Sequence, residues 1–413
     1  MTDPRRAAAG WAVSVMALAA TVAVEGAAHA QDGDAENSYT VTEYAYRRLE
    51  KAQKALEEKR FKAALSALDE LAKRSSLSAY ERALMYQTRS YVHVQQEQLP
   101  QAADAMTKAL AENALPEQAA LSTQFNLGQI YLADEKPKQA ARVLQDWSNR
   151  VEDPSPDALY TVAVAFAQAE NNAGALRYVD QALRKKKGQA PKSWLQLKLA
   201  VQVKLQQWKG AIDTLATLVE REPTDVQLWK QLSALYAQSK QPQESVATLE
   251  LAFRLDLLKE ESDIKLLAQN MVAAGVPLKA ASIVEKSLDK GWLPRSGENL
   301  ELLATAYVNA AERDRALEPL AAAARETGKA KLWEELGRIH LALENWKASD
   351  AALSRALSIG GLRQPGQTYI MLGMARHRLN QIAGAREAFQ EALKFKSSAA
   401  TARSWLSFIS SDS

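Results

Sequence analysis

The sequence predicts an all-α fold, an α-solenoid of about ten helix-turn-helix repeats wound as a right-handed superhelix. Three observations predict it. Ala, Leu, Gln, Glu and Lys dominate a chain of 413 residues with only 17 glycines, a helix-forming composition. Small and large apolar residues recur with a period near 35 residues, most clearly in the last copy: Tyr369, Leu372, Gly373, then Ala385, Phe389 and Ala392. Prolines, which punctuate helices, fall where such a register puts turns.

Taken in order, the copies start near Ala45, Ala83, Leu121, Pro156, Lys192, Val226, Glu261, Gly297, Ala330 and Gly366. The copy between Trp194 and Pro223 fits with one residue of slack. Counting from each start, a small residue at position 8 lets the first helix (A) approach the second (B), and alanine at position 20 does the same for B. Position 20 is Ala in every copy except two, where Ser245 and Ser349 replace it. Large apolar residues at positions 4, 7, 11 and 24 fill the gaps. Pro116, Pro154, Pro156, Pro191, Pro223, Pro294 and Pro365 fall between copies, and Pro100, Pro137, Pro242 and Pro277 fall at the A–B turn. Pro319 lies inside a predicted B helix and is expected to kink it or shift its start. Thr401–Ile409 is long enough for a short helix capping the last repeat. The spacing resembles the tetratricopeptide-repeat consensus W-x2-L-G…A-x3-F-x2-A.

The N-terminus carries a different pattern. Arg5 and Arg6 precede an apolar run from Ala7 to Val24, then Ala28-His29-Ala30 and the polar stretch from Gln31. That is the three-part pattern of an export signal cleaved between Ala30 and Gln31, which implies a periplasmic protein. The alternative is an uncleaved segment anchoring the chain in the inner membrane. The expected organisation is a signal over 1–30, a polar linker over 31–41, the repeat array over 42–396, and a capping helix and tail over 397–413.

Lys and Arg number 52 against 49 Asp and Glu, a formal charge of +3. They are interspersed, so no large one-signed field marks the chain for nucleic acid. With no cysteine, disulfides, thiolate metal sites and cysteine nucleophiles are excluded. His93, His340 and His377 make no helical ligand pair. Gly291 and Gly297 flank Trp-Leu-Pro-Arg-Ser but lack the Lys-Ser/Thr of a phosphate loop, and there is no Gly-x-Ser-x-Gly. The expectation is therefore a non-enzymatic protein with no cofactor, no metal and no small-molecule substrate. Trp194, Trp229 and Trp333 stand at or beside position 4 and are expected in the core.

Helix A positions 2, 5, 9 and 12 are expected to line a partner groove. In the first half these include Gln87, Tyr91, Phe125, Gln129 and Tyr160; in the second, Lys230, Lys265, Glu301, Arg338 and His377. Tyr91, Phe125, Gln129 and Tyr160 are the predicted contact, with the aromatic side chains pointing away from the inter-repeat core. The carboxylate clamp of chaperone-binding repeats is absent: Gln87, Tyr91, Asn126, Asp157 and Thr161 occupy its positions, and only Asn126 matches. The run Arg184-Lys185-Lys186-Lys187 reads either as a solvated inter-repeat loop or as a docking patch for an anionic partner.

Several segments carry a more specific resemblance. They are Tyr39-Thr40-Val41 leading into Ala52-Gln53-Lys54, Ser78-Ala79-Tyr80-Glu81-Arg82-Ala83, Pro191-Lys192-Ser193-Trp194-Leu195, Trp229-Lys230-Gln231-Leu232-Ser233, Lys279-Ala280-Ala281 and Gly360-Gly361-Leu362-Arg363-Gln364-Pro365-Gly366. Together they resemble a family of exported tetratricopeptide-repeat proteins encoded beside TonB, ExbB and ExbD. The resemblance implies an accessory of energy-coupled outer-membrane transport whose partners are periplasmic segments of ExbD or TonB, with membrane contact only through partners or an uncleaved signal. The competing expectation is a scaffold for envelope assembly, in outer-membrane protein or polysaccharide export.

Overall fold

A small residue facing a large one, repeated in all but one of ten copies, builds the chain into paired helices. The computed structural model describes residues 39–411. The predicted signal and its Ala30–Gln31 cleavage point lie outside them, as does most of the linker. Five helix pairs come first: α1 (Glu43–Glu57) with α2 (Phe61–Ala72), α3 (Ala79–Gln95) with α4 (Leu99–Ala111), α5 (Glu117–Ala133) with α6 (Pro137–Arg150), α7 (Pro156–Gln168) with α8 (Asn172–Lys185), and α9 (Lys192–Lys204) with α10 (Trp208–Arg221). Five more follow: α11 (Val226–Gln238) with α12 (Pro242–Arg254), α13 (Glu261–Ala273) with α14 (Pro277–Asp289), α15 (Gly297–Asn309) with α16 (Arg313–Thr327), α17 (Ala330–Ala342) with α18 (Trp346–Ile359), and α19 (Pro365–Arg378) with α20 (Ile382–Ala392). A last helix, α21 (Ala399–Ser411), packs on α20.

The sequence predicts one continuous array, whereas the chain groups into two compact units, one ending at Leu218 and one beginning at Val219. The boundary falls in the repeat that fits the template least well, where Leu199 holds the small-residue position. Within each unit, helices pack in chain order, each A helix on its own B helix.

The packing rule is steric. A Cβ added to Gly128 would stand 2.4 Å from Leu144 Cγ, one on Gly337 2.6 Å from Leu353 Cγ, and one on Gly373 2.5 Å from Phe389 Cε1. Position 8 thus seats the side chain of position 24, and position 20 is buried in every repeat. Where serine occupies either small position, its hydroxyl spans the same gap. Ser90 donates to the Ala102 carbonyl at 2.7 Å, Ser233 to Ser245 O at 2.9 Å, and Ser349 to Gly337 O at 2.9 Å.

Each A–B turn closes on one left-handed residue, always at position 15. In the first unit these are Lys59, Glu97, Glu135, Glu170 and Gln206; in the second, Lys240, Gly275, Ala311, Glu344 and Asn380. The first turn shows why: Lys59 N–H reaches Leu56 O and Arg60 N–H reaches Ala55 O, which satisfies carbonyls at the helix end.

Pro100, Pro137, Pro242 and Pro277 sit in the first turn of a B helix, where the missing N–H costs nothing. Of the two effects expected of Pro319, a kink or a shifted start, the shift does not occur. α16 begins sixteen residues after α15, the same interval as α13 to α14 and α17 to α18, and runs through Pro319. Lacking an N–H, Pro319 cannot donate to the Arg315 carbonyl. Among the described residues no helix is long and apolar enough to cross a membrane.

Candidate functional site

The predicted contact residues lie on consecutive A helices of the first unit. Tyr91 on α3 is half-buried, and its hydroxyl accepts from Asn126 Nδ2 on α5 at 3.3 Å. Burial pushes its phenol above the ordinary value. Phe125 is half-buried on α5 with its ring 4.7 Å from that of Trp147, and Gln129 stands one turn further along. Gln87 on α3 donates to Thr123 Oγ1 on α5 at 2.9 Å.

Tyr160 departs from the prediction. It is only 8% exposed, stacked on Trp194 at 5.0 Å with the rings 13° from parallel, and its hydroxyl donates to Ser193 O at 3.4 Å. It belongs to the core between α7 and α9. The general reason is that position 5 faces the next A helix as well as the groove. Tyr91 and Phe125 are likewise braced from the side, but each keeps part of its surface exposed where Tyr160 does not.

The basic run is largely spoken for. Lys185 pairs with Asp153 and reaches Pro154 O at 3.2 Å. Lys186 meets Asp157 at 3.4 Å and lies 5.3 Å from the Trp194 ring centre. These two lysines tie the inter-repeat loop to the preceding one, which leaves Arg184 and Lys187 exposed at the surface.

In the second unit the predicted groove charges are paired, some between neighbouring A helices and some within one, as Arg338 is with Glu335. Lys230 pairs with the buried Asp263, Lys265 with Glu261 and Glu298, and Lys329 with Glu301 at 2.7 Å. Asn299 Nδ2 donates to Glu261 at 3.0 Å, and Thr368 donates to Glu334. His377 sits against the rings of Trp405 and Phe408 of α21 at 5.9 and 5.7 Å, and Arg378 stacks over Trp346 at 5.5 Å. The first unit therefore offers aromatic and amide groups, the second a ladder of paired charges.

One cavity of about 270 Å³ lies in the seam between the second and third repeats, lined by Leu110, Leu127, Val143, Gln124 and Arg150 among others. Gln124 stands at position 4, where most repeats place a large apolar or aromatic side chain, and its amide bonds to Val143 O and Arg150 instead. No group of three His, Cys, Asp or Glu among the described residues is placed to hold a metal ion.

Comparison with known proteins gives the helical repeats a family. Tetratricopeptide-repeat models match residues 125–191 and 366–398. No curated protein matches. Among solved structures, the chain is similar to a tetratricopeptide repeat protein from Parabacteroides merdae (16% identity, 64% of this chain and 99% of that one, TM-score 0.37). It is also similar to YrrB, described as a repeat protein with an unusual peptide-binding site (16% identity, 48% and 94%, TM-score 0.36). A third is MamA from Desulfovibrio magneticus (24% identity, 41% and 93%, TM-score 0.31). The architecture is that of a helical repeat protein. Residues 125–191 and 366–398 match tetratricopeptide repeats, and the small-residue register carries the same helix-pair architecture along the rest of the array as an α-solenoid.

Proposed function

We propose that this chain is a non-enzymatic periplasmic scaffold, an accessory of a TonB–ExbB–ExbD energy-coupled outer-membrane transport system, and that it binds periplasmic segments of ExbD or TonB. The export pattern ending at Ala30 and the segment resemblances described above support the compartment and the system. The observation that carries the site is the half-buried aromatic and amide surface of α3 and α5. Tyr91, Phe125 and Gln129 present ring edges and an amide that suit a segment whose backbone needs hydrogen bonds. Side bracing holds these rings in place before binding, which lowers the ordering cost of association.

Titration of the exported chain with the periplasmic parts of ExbD and TonB tests the proposal. Tyr91→Ala and Phe125→Ala are each expected to cost about 1–2 kcal/mol of binding with helicity unchanged. Binding that is indifferent to both variants removes the site. Failure to bind either protein, with capture of an outer-membrane assembly or polysaccharide-export component instead, replaces the system with the envelope-assembly reading.

A further inference from the structure

Positions 26 and 30 of each repeat lie one turn apart on helix B, facing outward. In the first five repeats they carry polar or oppositely charged residues, such as Glu70 and Arg74, Lys108 and Glu112, or Asp146 and Arg150, and in the last three one charged and one apolar residue. Two neighbouring repeats break the pattern. On α12 the pair is Leu251 and Leu255, 48% and 52% exposed. On α14 it is Lys286 and Lys290, both exposed. Among the described residues no other repeat has two apolar or two cationic side chains there.

The two pairs belong to one surface. Both pairs hold the same repeat positions on successive B helices, and Lys286 Nζ lies 5.3 Å from the ring centre of the buried Phe253 of α12. Lys290 Nζ is 4.4 Å and Lys259 Nζ 5.8 Å from the ring centre of Trp292, whose ring meets that of Phe253 edge-on at 5.7 Å. Lys279 joins the helices from the other end through Glu250 at 3.2 Å. Lys290 has Asp256 at 3.5 Å, but Lys259 and Lys286 make no ion pair among the described residues. Of the nine exposed large apolar residues described, Leu251, Leu255, Leu266, Val276 and Leu278 fall within these two repeats. Of these, Leu251 and Leu255 stand on the outward B-helix face, where two apolar side chains one turn apart mark an interaction site.

We propose that α12 and α14 form a second docking surface, for an amphipathic helix of a partner protein that sets apolar side chains on Leu251 and Leu255 and carboxylates against Lys259 and Lys286. The charge left unmatched by the chain calls for an acidic flank. The one-turn spacing of both pairs, about 5–6 Å, repeats the side-chain spacing of a facing helix. An anionic lipid surface fits less well, because such recognition relies on clusters of about four to eight basic residues. The proposal shares the scaffold reading but uses a face other than that of Tyr91 and Phe125, so the two can fail separately.

The test uses a fluorescent amphipathic peptide of about five turns, with leucine along one face and glutamate along its flanks, titrated against the full exported chain. Wild type is expected to bind it, and Lys286→Glu with Lys290→Glu to weaken it about tenfold or more. The same peptide with lysine for glutamate is expected to prefer that charge-reversed protein. Leu251→Ser with Leu255→Ser is expected to weaken binding similarly, with circular dichroism unchanged, whereas Tyr91→Ala with Phe125→Ala leaves it intact. Absence of binding, or binding that ignores both α12 and α14 variants, overturns the proposal. So does binding of phosphatidylglycerol vesicles, but not the peptide, through the same lysines, or a dimer lost with the leucines.

Discussion

Glu81 shows how much a single residue can be asked to hold. It is 1% exposed and accepts from Thr42 N at 2.8 Å, Thr42 Oγ1 at 2.6 Å and Ser78 N at 2.8 Å, which ties the start of α1 to the capping box of α3. Burial pushes its carboxyl up, but the bonds from Thr42 and Ser78 outweigh this and hold it below the ordinary carboxylate value. A carboxyl lowered on folding contributes stability that is fully present above its unfolded value and is lost as pH falls through its folded value. Hydrogen-exchange protection of α1, corrected for intrinsic rates, should therefore be steady near neutrality, begin to decline as pH falls into the ordinary carboxylate range, and go on declining until pH has passed the lowered folded value. Glu81→Gln should cost about 1–3 kcal/mol at neutral pH and remove much of that decline; an unchanged α1 would contradict the assignment. Tyr160 makes the opposite point about partner contact. Buried on Trp194, it is predicted to cost about 3 kcal/mol of stability on change to alanine, read as lost protection in α7 and α9. Tyr91→Ala should cost much less.

At the scale of the helix and its turn, position 15 is where the chain departs from what its backbone prefers. Nine of the ten turn residues there are not glycine, although a left-handed conformation costs an L-residue about 1–2 kcal/mol. Ala311 is exposed at φ 61°. Ala311→Gly should therefore stabilise the α15–α16 pair, by about 0.5–1 kcal/mol after the added freedom of the unfolded chain is counted; a loss of thermal stability would show that the turn does not set the pair's energy. Conversely, Gly128→Ala drives a Cβ into Leu144 and should cost about 1–3 kcal/mol, centred on α5 and α6.

These positions mark what was legible in the sequence. Positions 8 and 20 could be read directly, because close helix approach demands small side chains and leaves their imprint in composition. Position 15 could not, because its requirement is a backbone angle and Lys, Glu, Gln, Ala and Asn satisfy it here without any shared chemistry. The early A helices α1, α3 and α5 begin a little before the template starts, at caps that lie outside the repeat pattern. Spacing placed Tyr160 on the groove side of its helix, but whether a neighbour covers that side depends on Trp194 in the next repeat, a pairing that no single-repeat template contains.

For the whole molecule, repeat architecture makes energy local and surface plentiful. Each helix pair draws its stability from its neighbours, so a scaffold can vary its exposed positions while the small-residue register holds the array. The aromatic face of α3 and α5 and the leucine–lysine face of α12 and α14 are both departures from an otherwise mixed polar surface, each within one compact unit. The central claim is that the chain works by holding a protein segment against α3 and α5. Hydrogen exchange of the purified chain, free and saturated with the periplasmic segment of ExbD or TonB, addresses it most directly. The account predicts slowed exchange concentrated in α3 and α5 and abolished by Tyr91→Ala with Phe125→Ala. No change in those two helices on saturation would contradict it.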